Sequence, residues 1–236
     1  NDLMKIAAIL TGKANSSFKN KNIKKINKKF IFLYPAVEAK KSKIINKFFT
    51  SSDSSMILKQ TKKFGYESIQ RPKSLARSSS KHVDVLIHAI KHMNKKKFYP
   101  DILVVLLANA PIIKIKWINE CIKKLIKNPS ATSIVPVEKN NDRHPLRAKK
   151  IKNNFLNSFY KSKNSVSTNR QDLEACYFLC HNFWVIRTKE ILKNNGLPPW
   201  KFMGKKVLPY EVENSIDIHN NIDLEIARLI ININNE

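Results

Sequence analysis

The chain has 236 residues and a mass of 27.3 kDa, and 42% of its residues are hydrophobic, which is enough to bury the core of one domain. No apolar run approaches the roughly 20 residues that cross a bilayer, and residues 1–5 lack the charged-then-apolar layout of a secretory signal. We therefore expect a soluble, cytoplasmic protein without a membrane partner.

The chain is strongly basic, with 44 Lys and Arg against 18 Asp and Glu and a formal net charge of +26. Taken alone, this charge favours a polyanionic partner such as nucleic acid. Lys greatly outnumbers Arg, however, and Arg is the residue that reads bases with bidentate contacts. The lysines also spread from end to end. We interpret the charge as a drift in composition, so specific nucleic-acid binding is not expected and any polyanion affinity should be weak and salt-sensitive.

Cysteine usage points to free thiols. The three cysteines, Cys121, Cys176 and Cys180, are an odd number and show neither a Cys-x-x-Cys pair nor a zinc-type spacing with histidine. Buried free thiols are the expectation.

In the first half of the chain, short apolar runs alternate with segments of helical period, which predicts an α/β fold with a mostly parallel sheet flanked by helices. The predicted strands are Lys5–Leu10, Lys47–Ser52 and Ile102–Leu107, and the predicted helices are Ala36–Asn46, Ser55–Phe64 and His82–Met93. Gly65 should end the second helix. The wholly apolar strand Ile102–Leu107 should lie at the centre of the sheet.

The second half continues the alternation after an irregular stretch. The predicted elements are helix Ile115–Ile126, strand Ser133–Val137, strand Tyr177–Arg187, helix Lys189–Asn194, and a strand, loop and closing helix within residues 206–231. Asp223 is the expected N-cap of the closing helix. Residues 138–176 read as long loops around a short hairpin or arm, within a single domain that spans residues 1–236.

The first strand runs into a loop with the sequence ILTGKANSSFKNKN. In an open α/β sheet this loop lies at the carboxyl edge of the strands, where such folds bind ligands. Gly12 permits close approach of the backbone to a ligand, and Lys13, Lys19 and Lys21 add positive charge. A Walker A pattern is absent. On these residues alone, a phosphate site and a solvated basic loop are equally open.

Further motifs follow in order: RPKSLARSSSKHVDVLIHAI, DILVVLLANAPII, HP at residues 144–145, RQDLEACYF and SIDIHNNIDLEIA. Together with the opening loop, which ends in Lys21-Asn22, they resemble the motifs of the acylneuraminate cytidylyltransferases over essentially the whole chain. The resemblance implies a Rossmann-like nucleotidyltransferase fold and an attack by the anomeric hydroxyl of a sialic-acid-like sugar acid on the α-phosphorus of CTP. Pyrophosphate is the leaving group.

The resemblance also implies roles for individual residues. Lys21 and Lys13 are the expected catalytic phosphate contacts, and Asp217 is the expected ligand of Mg²⁺, the implied cofactor. The expected nucleotide-binding residues are Gly12, Asn15, Lys19, Asn22, Arg71 and Asn109. The expected sugar-binding residues are Arg170, Gln171 and His144, since an Arg is suited to clamp a carboxylate.

Two departures from the family pattern keep alternatives open. His219 replaces the second aspartate of an Asp-x-Asp pair and is a poor Mg²⁺ ligand, with Glu211, Glu213 and Asp53 as possible substitutes. His181-Asn182 replaces Asn-Gly, which leaves the choice of sugar open. The alternative function is a degenerate homologue that binds a nucleotide or a partner without efficient catalysis.

Two expectations concern packing and assembly. The resemblance implies a homodimer that pairs through the arm in residues 138–176. The aromatic side chains of the second half are expected in the core or at an interface; they are Phe178, Phe183, Trp184 and Trp200.

Overall fold

Twelve strands and six helices are described by a computed structural model, which covers residues 4–14, 23–161 and 166–234. The strands are β1 Ile6–Thr11, β2 Lys25–Ile26, β3 Lys29–Phe30, β4 Lys47–Ser52, β5 Glu67–Gln70, β6 Ile102–Leu107, β7 Ser133–Lys139, β8 Lys149–Lys152, β9 Phe155–Ser158, β10 Tyr177–Leu179, β11 Phe183–Arg187 and β12 Val207–Glu211. The helices are α1 Leu33–Lys40, α2 Ser55–Lys62, α3 His82–Lys95, α4 Ile115–Lys127, α5 Thr188–Lys193 and α6 Asn221–Ile233. Among the described residues, no helix is both long and apolar enough to cross a membrane.

The central sheet is mostly parallel, as predicted. β1 pairs in parallel with β4 on one side and with β6 on the other, β5 extends the sheet beyond β4, and β12 pairs in parallel with β7. β11 is antiparallel to both β6 and β7. Every residue of β1 and β6 is buried, because helices cover both faces of the sheet.

Two apolar cores lie on opposite faces of this sheet. Along β1, Ala8 and Leu10 join one core while Ala7 and Ile9 join the other, because successive side chains of a strand point to opposite faces. Most buried residues of α1 and all those of α4 and α6 belong to the first core, and the buried residues of α3 except Val85 belong to the second. The apolar positions that repeat with helical period in the sequence are therefore the positions that pack against the two faces of the sheet.

The first predicted helix was misplaced. Ala36–Asn46 was expected, but α1 spans Leu33–Lys40 and the chain turns before β4. Asn46 pairs with the start of β1 instead: its side chain accepts from the Ile6 amide at 2.7 Å, and its own amide donates to the Ile6 carbonyl at 2.9 Å. This long-range pairing outweighs local helix propensity at the end of the segment.

The predicted single strand Tyr177–Arg187 is two strands. Leu179 lies opposite Val137 and Val185 lies opposite Ile134, so three residues bulge out between β10 and β11. The Asn182 side chain accepts from the Phe183 amide, and the Asn182 carbonyl accepts from the Leu107 amide at the end of β6. The bulge therefore places residues 180–182 at the carboxyl end of β6.

The arm contains the expected short hairpin, β8–β9, with Lys152 opposite Phe155. Asn153 and Asn154 make its two-residue turn at φ values of 51° and 62°, the left-handed region that a type I′ turn requires. Gly65, also expected at a helix end, has a φ of 75° and follows α2. The three cysteines are free, with Cys121 and Cys180 buried.

Candidate active site

An open cavity of about 710 Å³ lies at the carboxyl edge of the sheet, where β1 and β6 end. Its lining joins the loop after β1, the segment after β5, the start of α3, the β10–β11 bulge and the loop before α6. The lining residues are Thr11, Gly12, Lys13, Arg71, Leu75, Ser78, Ser80, His82, Val85, Leu107, Asn109, His181, Trp184, Trp200, Asp217 and His219.

The start of the loop after β1 is held by contacts to β4, to the turn that follows β4 and to Arg77. The buried Gly12 donates from its amide to the Ser51 carbonyl at 3.3 Å. The Ala14 amide donates to Oδ1 of Asp53 at 2.9 Å, and Nζ of Lys13 donates to the Arg77 carbonyl at 3.3 Å. Of the predicted loop residues, Gly12 and Lys13 line the cavity. The predicted Asn15, Lys19, Lys21 and Asn22 lie outside the described residues.

Arg71 enters the cavity wall as a buried cation. Its side chain donates to Oγ of Ser51 through Nε and to the Ser51 carbonyl through an NH2 group at 2.8 Å. Burial lowers its pKa to about 10, and the nearby Asp53 carboxylate opposes this shift. The guanidinium is therefore charged at neutral pH and fixed in one orientation, as a base or ribose contact would need.

Asn109 connects the end of β6 to the loop that carries Asp217. The Ile218 amide donates to the Asn109 carbonyl at 2.9 Å, and the Asn109 side chain donates to the Ile218 carbonyl at 3.4 Å. These two bonds place Asp217 on the same side of the molecule as Gly12, Arg71 and Asn109. Five of the residues predicted for the nucleotide and its metal thus share one cavity.

The Asp217 carboxylate contacts the residue that departs from the family pattern. Nε2 of His219 lies 2.6 Å from Oδ2 of Asp217, and the His219 amide donates to Oδ2 of Asp223 at 2.7 Å. No group of three or more Asp, Glu, His or Cys suited to a metal occurs among the described residues. Of the suggested substitutes, Asp53 holds the Ala14 amide.

His82 was missed from the sequence. It opens α3, and its Nε2 lies 3.2 Å from Oγ1 of Thr11, the last residue of β1. The Thr11 hydroxyl donates to the Leu106 carbonyl, so it accepts from Nε2–H of the imidazole. Burial first, and then Arg71, lowers the pKa of His82 to about 4. The imidazole is therefore neutral at physiological pH.

Aromatic rings form one wall of the cavity. Trp184 is expected in the core and is buried there, but it also lines the cavity, 5.3 Å from the His82 ring centroid. His181 lies 5.4 Å from the Trp200 ring centroid, and burial lowers the pKa of His181 while Asp217 opposes the shift. The alternation of apolar residues in the sequence indicated a strand but gave no sign of this wall.

The three predicted sugar contacts lie in the arm, outside the lining of the cavity. Arg170 pairs with Asp142 at 2.7 Å, and Gln171 follows it in a short turn. His144 is buried, and its Nδ1 accepts from the Leu146 amide at 3.2 Å, which caps another turn. The structure does not bring these residues to the cavity of their own chain, and their sugar contact stays a prediction.

Solved structures with this architecture define the class as a nucleotidyltransferase fold. A CMP:2-keto-3-deoxy-manno-octonic acid synthetase complexed with CTP aligns with a TM-score of 0.69 at 14% identity, covering 98% of this chain and 99% of that one. A 4-diphosphocytidyl-2C-methyl-D-erythritol synthase from Anaerococcus prevotii aligns with a TM-score of 0.66 at 12% identity, covering 98% and 97%. The predicted fold is confirmed.

The chain belongs to the family described as Cytidylyltransferase, whose pattern matches residues 8–227. Among its relatives, the Post-translational flagellin modification protein B of Campylobacter coli is 25% identical over 221 residues, which cover 90% of this chain and 88% of that protein. The CMP-N,N'-diacetyllegionaminic acid synthase of Campylobacter jejuni is also 25% identical over 221 residues, covering 92% and 90%.

Proposed function

We propose that the chain transfers CMP from CTP to the anomeric hydroxyl of a sialic-acid-like sugar acid and releases pyrophosphate. The observation that carries the proposal is the convergence of the Gly12 loop and Asp217 on one cavity at the carboxyl edge of the sheet. The names of the relatives support a sugar acid as the acceptor, and CTP as a substrate is consistent with action in the cytoplasm.

The cavity is suited to position a nucleotide for in-line displacement. Gly12, which is buried, and Lys13 line the space where a triphosphate would lie, and the Lys13 ammonium, which donates to the Arg77 carbonyl, adds positive charge beside it. Arg71 is fixed on Ser51, lines the same space and is charged at neutral pH. Phosphoryl transfer requires positioned phosphates and stabilised developing charge, so these groups supply most of what the reaction needs from the protein.

Asp217 would hold Mg²⁺ together with phosphate and water oxygens. Mg²⁺ commonly takes only one or two protein carboxylates in phosphate sites, so a single aspartate facing the cavity is compatible with it. When bound, the ion would neutralise charge on the phosphates. His219 donates from Nε2 to Oδ2 of this carboxylate and is the residue that a bound ion would have to accommodate.

A second candidate function is a homologue that binds nucleotide or a partner without efficient turnover. The contact of His219 with Oδ2 of Asp217 favours it, because one metal-binding oxygen already has a partner. Calorimetry with CTP separates the two candidates: an active enzyme should bind CTP much more tightly with Mg²⁺ than with EDTA. A degenerate site should show the same affinity in both.

We further propose that two copies pair through the arm. The β8–β9 hairpin exposes Ile151, Phe155 and Leu156 by 75% or more of their area, a larger apolar exposure than isolated surface residues need. A second arm is the occupant that the family resemblance implies. A chain with Phe155→Ser and Leu156→Ser should have half the wild-type mass in solution.

The reaction is tested by incubating the protein with CTP, Mg²⁺ and each of four sugar acids of sialic, legionaminic, pseudaminic and octulosonic type. A CMP conjugate of the expected mass, formed with one pyrophosphate per conjugate, would support the proposal. Asp217→Asn is the matched control and should abolish turnover while it leaves the circular dichroism spectrum unchanged. Failure with all four acids, from protein that binds CTP and Mg²⁺, would favour the second candidate.

A further inference from the structure

The outer face of α6 carries an unpartnered apolar stripe. Ile222, Ile226, Leu229 and Ile233 are 71%, 43%, 60% and 62% exposed, and their spacings of four, three and four residues place them on one side of the helix. The opposite side of α6, with Leu224, Ala227 and Ile231, packs into the core. This helix is therefore apolar on two faces, and the described part of the chain covers only one of them.

The other helices do not share this pattern. Exposed large apolar side chains on them are single: Met56 on α2, Ile126 on α4 and Leu192 on α5. All five of those helices contain lysine, whereas α6 contains none in a chain with a net charge of +26. Each of the other five helices carries lysine where its outer face meets solvent. The absence of lysine from α6 therefore indicates that a partner covers its outer face.

The charges beside the stripe are self-complementary. Glu225 and Arg228 form an ion pair on one flank of the stripe. When two such helices pack antiparallel about a two-fold axis, a given flank of one helix contacts the same flank of the other. An apolar residue near the start of one stripe then contacts an apolar residue near the end of the other stripe. Glu225 then faces Arg228 of the partner subunit, while Ile226 faces Leu229 of the partner subunit.

We propose that the stripe on α6 is an isologous interface at which a second copy of this chain docks antiparallel. Of the six described helices, α6 carries the least positive charge. Two strongly basic chains therefore repel each other least when they meet at this helix. Four side chains per copy provide less than the roughly 800 Å² per partner of a standard interface. The association is therefore weak and depends on protein concentration.

The α6 contact is distinct from the proposed arm pairing. Each contact therefore doubles the mass of the assembly independently of the other. The arm hairpin, β8–β9, precedes β10, whereas α6 closes the chain after β12. A chain with both contacts forms a closed tetramer when the two two-fold axes are perpendicular and intersect, and a chain with one contact forms a dimer. Failure of the arm contact would leave the α6 contact intact and the reverse also holds.

The test is sedimentation velocity over a range of protein concentrations on wild type, Ile226→Gln/Leu229→Gln, and the control Leu192→Gln. At high concentration the wild type and the control should have twice the mass of the α6 variant. The dissociation constant of the α6 contact should be at least about tenfold higher in that variant. Equal mass for all three proteins at every concentration would overturn the proposal. Because the substituted residues are exposed, unchanged circular dichroism and melting are expected at low concentration.

A charge exchange tests the antiparallel geometry. Glu225→Arg or Arg228→Glu alone should weaken association about threefold to tenfold by placing like charges across the two-fold axis. The double variant Glu225→Arg/Arg228→Glu recreates opposite charges and should restore the wild-type association. A double variant as weak as the single ones would overturn the antiparallel contact.

Discussion

Two basic side chains that line the cavity are held in different charge states. Arg71 remains a cation with a pKa of about 10, because its high intrinsic basicity exceeds the cost of burial. The neighbouring His82 is neutral with a pKa of about 4, because burial and the Arg71 charge act in the same direction. The site thus keeps one fixed positive charge and one neutral hydrogen-bonding ring side by side.

The neutral state of His82 makes stability depend on pH. Its pKa falls from 6.5 in the unfolded chain to about 4 in the folded one, so between these values the unfolded state binds the extra proton. Stability is therefore complete above about pH 6.5 and declines as pH falls toward 4, by about 3 kcal/mol. His82→Asn should remove this part of the decline, as measured by urea unfolding at pH 7 and pH 4.5.

His181, His88 and His92 also have lowered pKa values through burial, so they add a decline of the same sign that persists in the variant. The comparison is therefore the difference between wild type and variant. An identical loss of stability in both proteins between pH 7 and pH 4.5 would contradict the neutral His82.

Asp53 is predicted to set the shape of the loop after β1. Its Oδ1 accepts from the Ala14 amide, and its charge supports Arg71. Asp53→Ala should raise the KM for CTP about tenfold through loss of one charged hydrogen bond, measured by steady-state kinetics. Asp101→Ala is the matched control, because Asp101 accepts from the Lys5 amide near the other end of β1. Equal KM changes in both variants would contradict a local role.

Site residues could be predicted where local motifs carry them and not where packing assembles them. Gly12 and Lys13 follow a predicted strand, so the strand–loop–helix order was enough to place them at the ligand-binding edge, whereas Asp217 was predicted from the family resemblance. His82 reaches the cavity only because β1 ends at Thr11 and α3 begins beside it. His181 depends on the bulge after β10, whose three extra residues follow from register with β7.

At the scale of elements, the N-terminal cap of α6 also holds a loop of the active site. Asp223 was expected as the N-cap, but Asn220 has that place and Asp223 is its capping-box partner. Oδ2 of Asp223 also accepts from the His219 amide at 2.7 Å. One carboxylate therefore fixes both the first turn of α6 and the loop that follows Asp217.

Asn220→Ala should lower the free energy of unfolding by about 1 kcal/mol. It should also raise the KM for CTP in the presence of Mg²⁺, because Asp223, whose carboxylate holds the His219 amide beside Asp217, loses the bond from its own amide to the Asn220 side chain. Denaturant unfolding and steady-state kinetics measure the two effects. Asn234→Ala, which removes a side-chain bond to the Ile230 carbonyl at the other end of α6, is the control and should leave KM unchanged.

If Asn220→Ala lowers stability as expected but leaves the KM unchanged, the helix cap has no role in nucleotide binding. The sequence contained the capping-box pair Asn220 and Asp223 three residues apart, so the correction concerns which member lies outside the helix. Element boundaries of this kind depend on tertiary contacts, as the pairing of Asn46 with Ile6 also shows.

At the scale of the whole molecule, the alternation of apolar runs was sufficient to predict the α/β layering. The fully apolar β6 lies beside β1 in the middle of the sheet, as its composition indicated. The edge strand β5 was not predicted, because only Ile69 of its four residues is buried. A strand with so little apolar character is specified by its pairing with β4 rather than by its own sequence.

The net charge of +26 leads to a prediction about polyanions. Binding to duplex DNA should be detectable at low salt and lost by about 150 mM salt, because it comes from counterion release at scattered lysines. Fluorescence anisotropy with a labelled duplex, titrated with KCl, measures it. Sequence-specific binding that survives 150 mM salt would show that the charge has a nucleic-acid partner.

The central claim is that the loop after β1 and the Asp217 loop enclose one nucleotide. The most direct measurement is a crystal structure of the protein with CTP and Mg²⁺. The account predicts triphosphate density against Gly12 and Lys13, the nucleoside beside Arg71 and Asn109, and an ion between the phosphates and Asp217. A nucleotide bound elsewhere, or in this cavity with Asp217 turned away from its phosphates, would contradict the account.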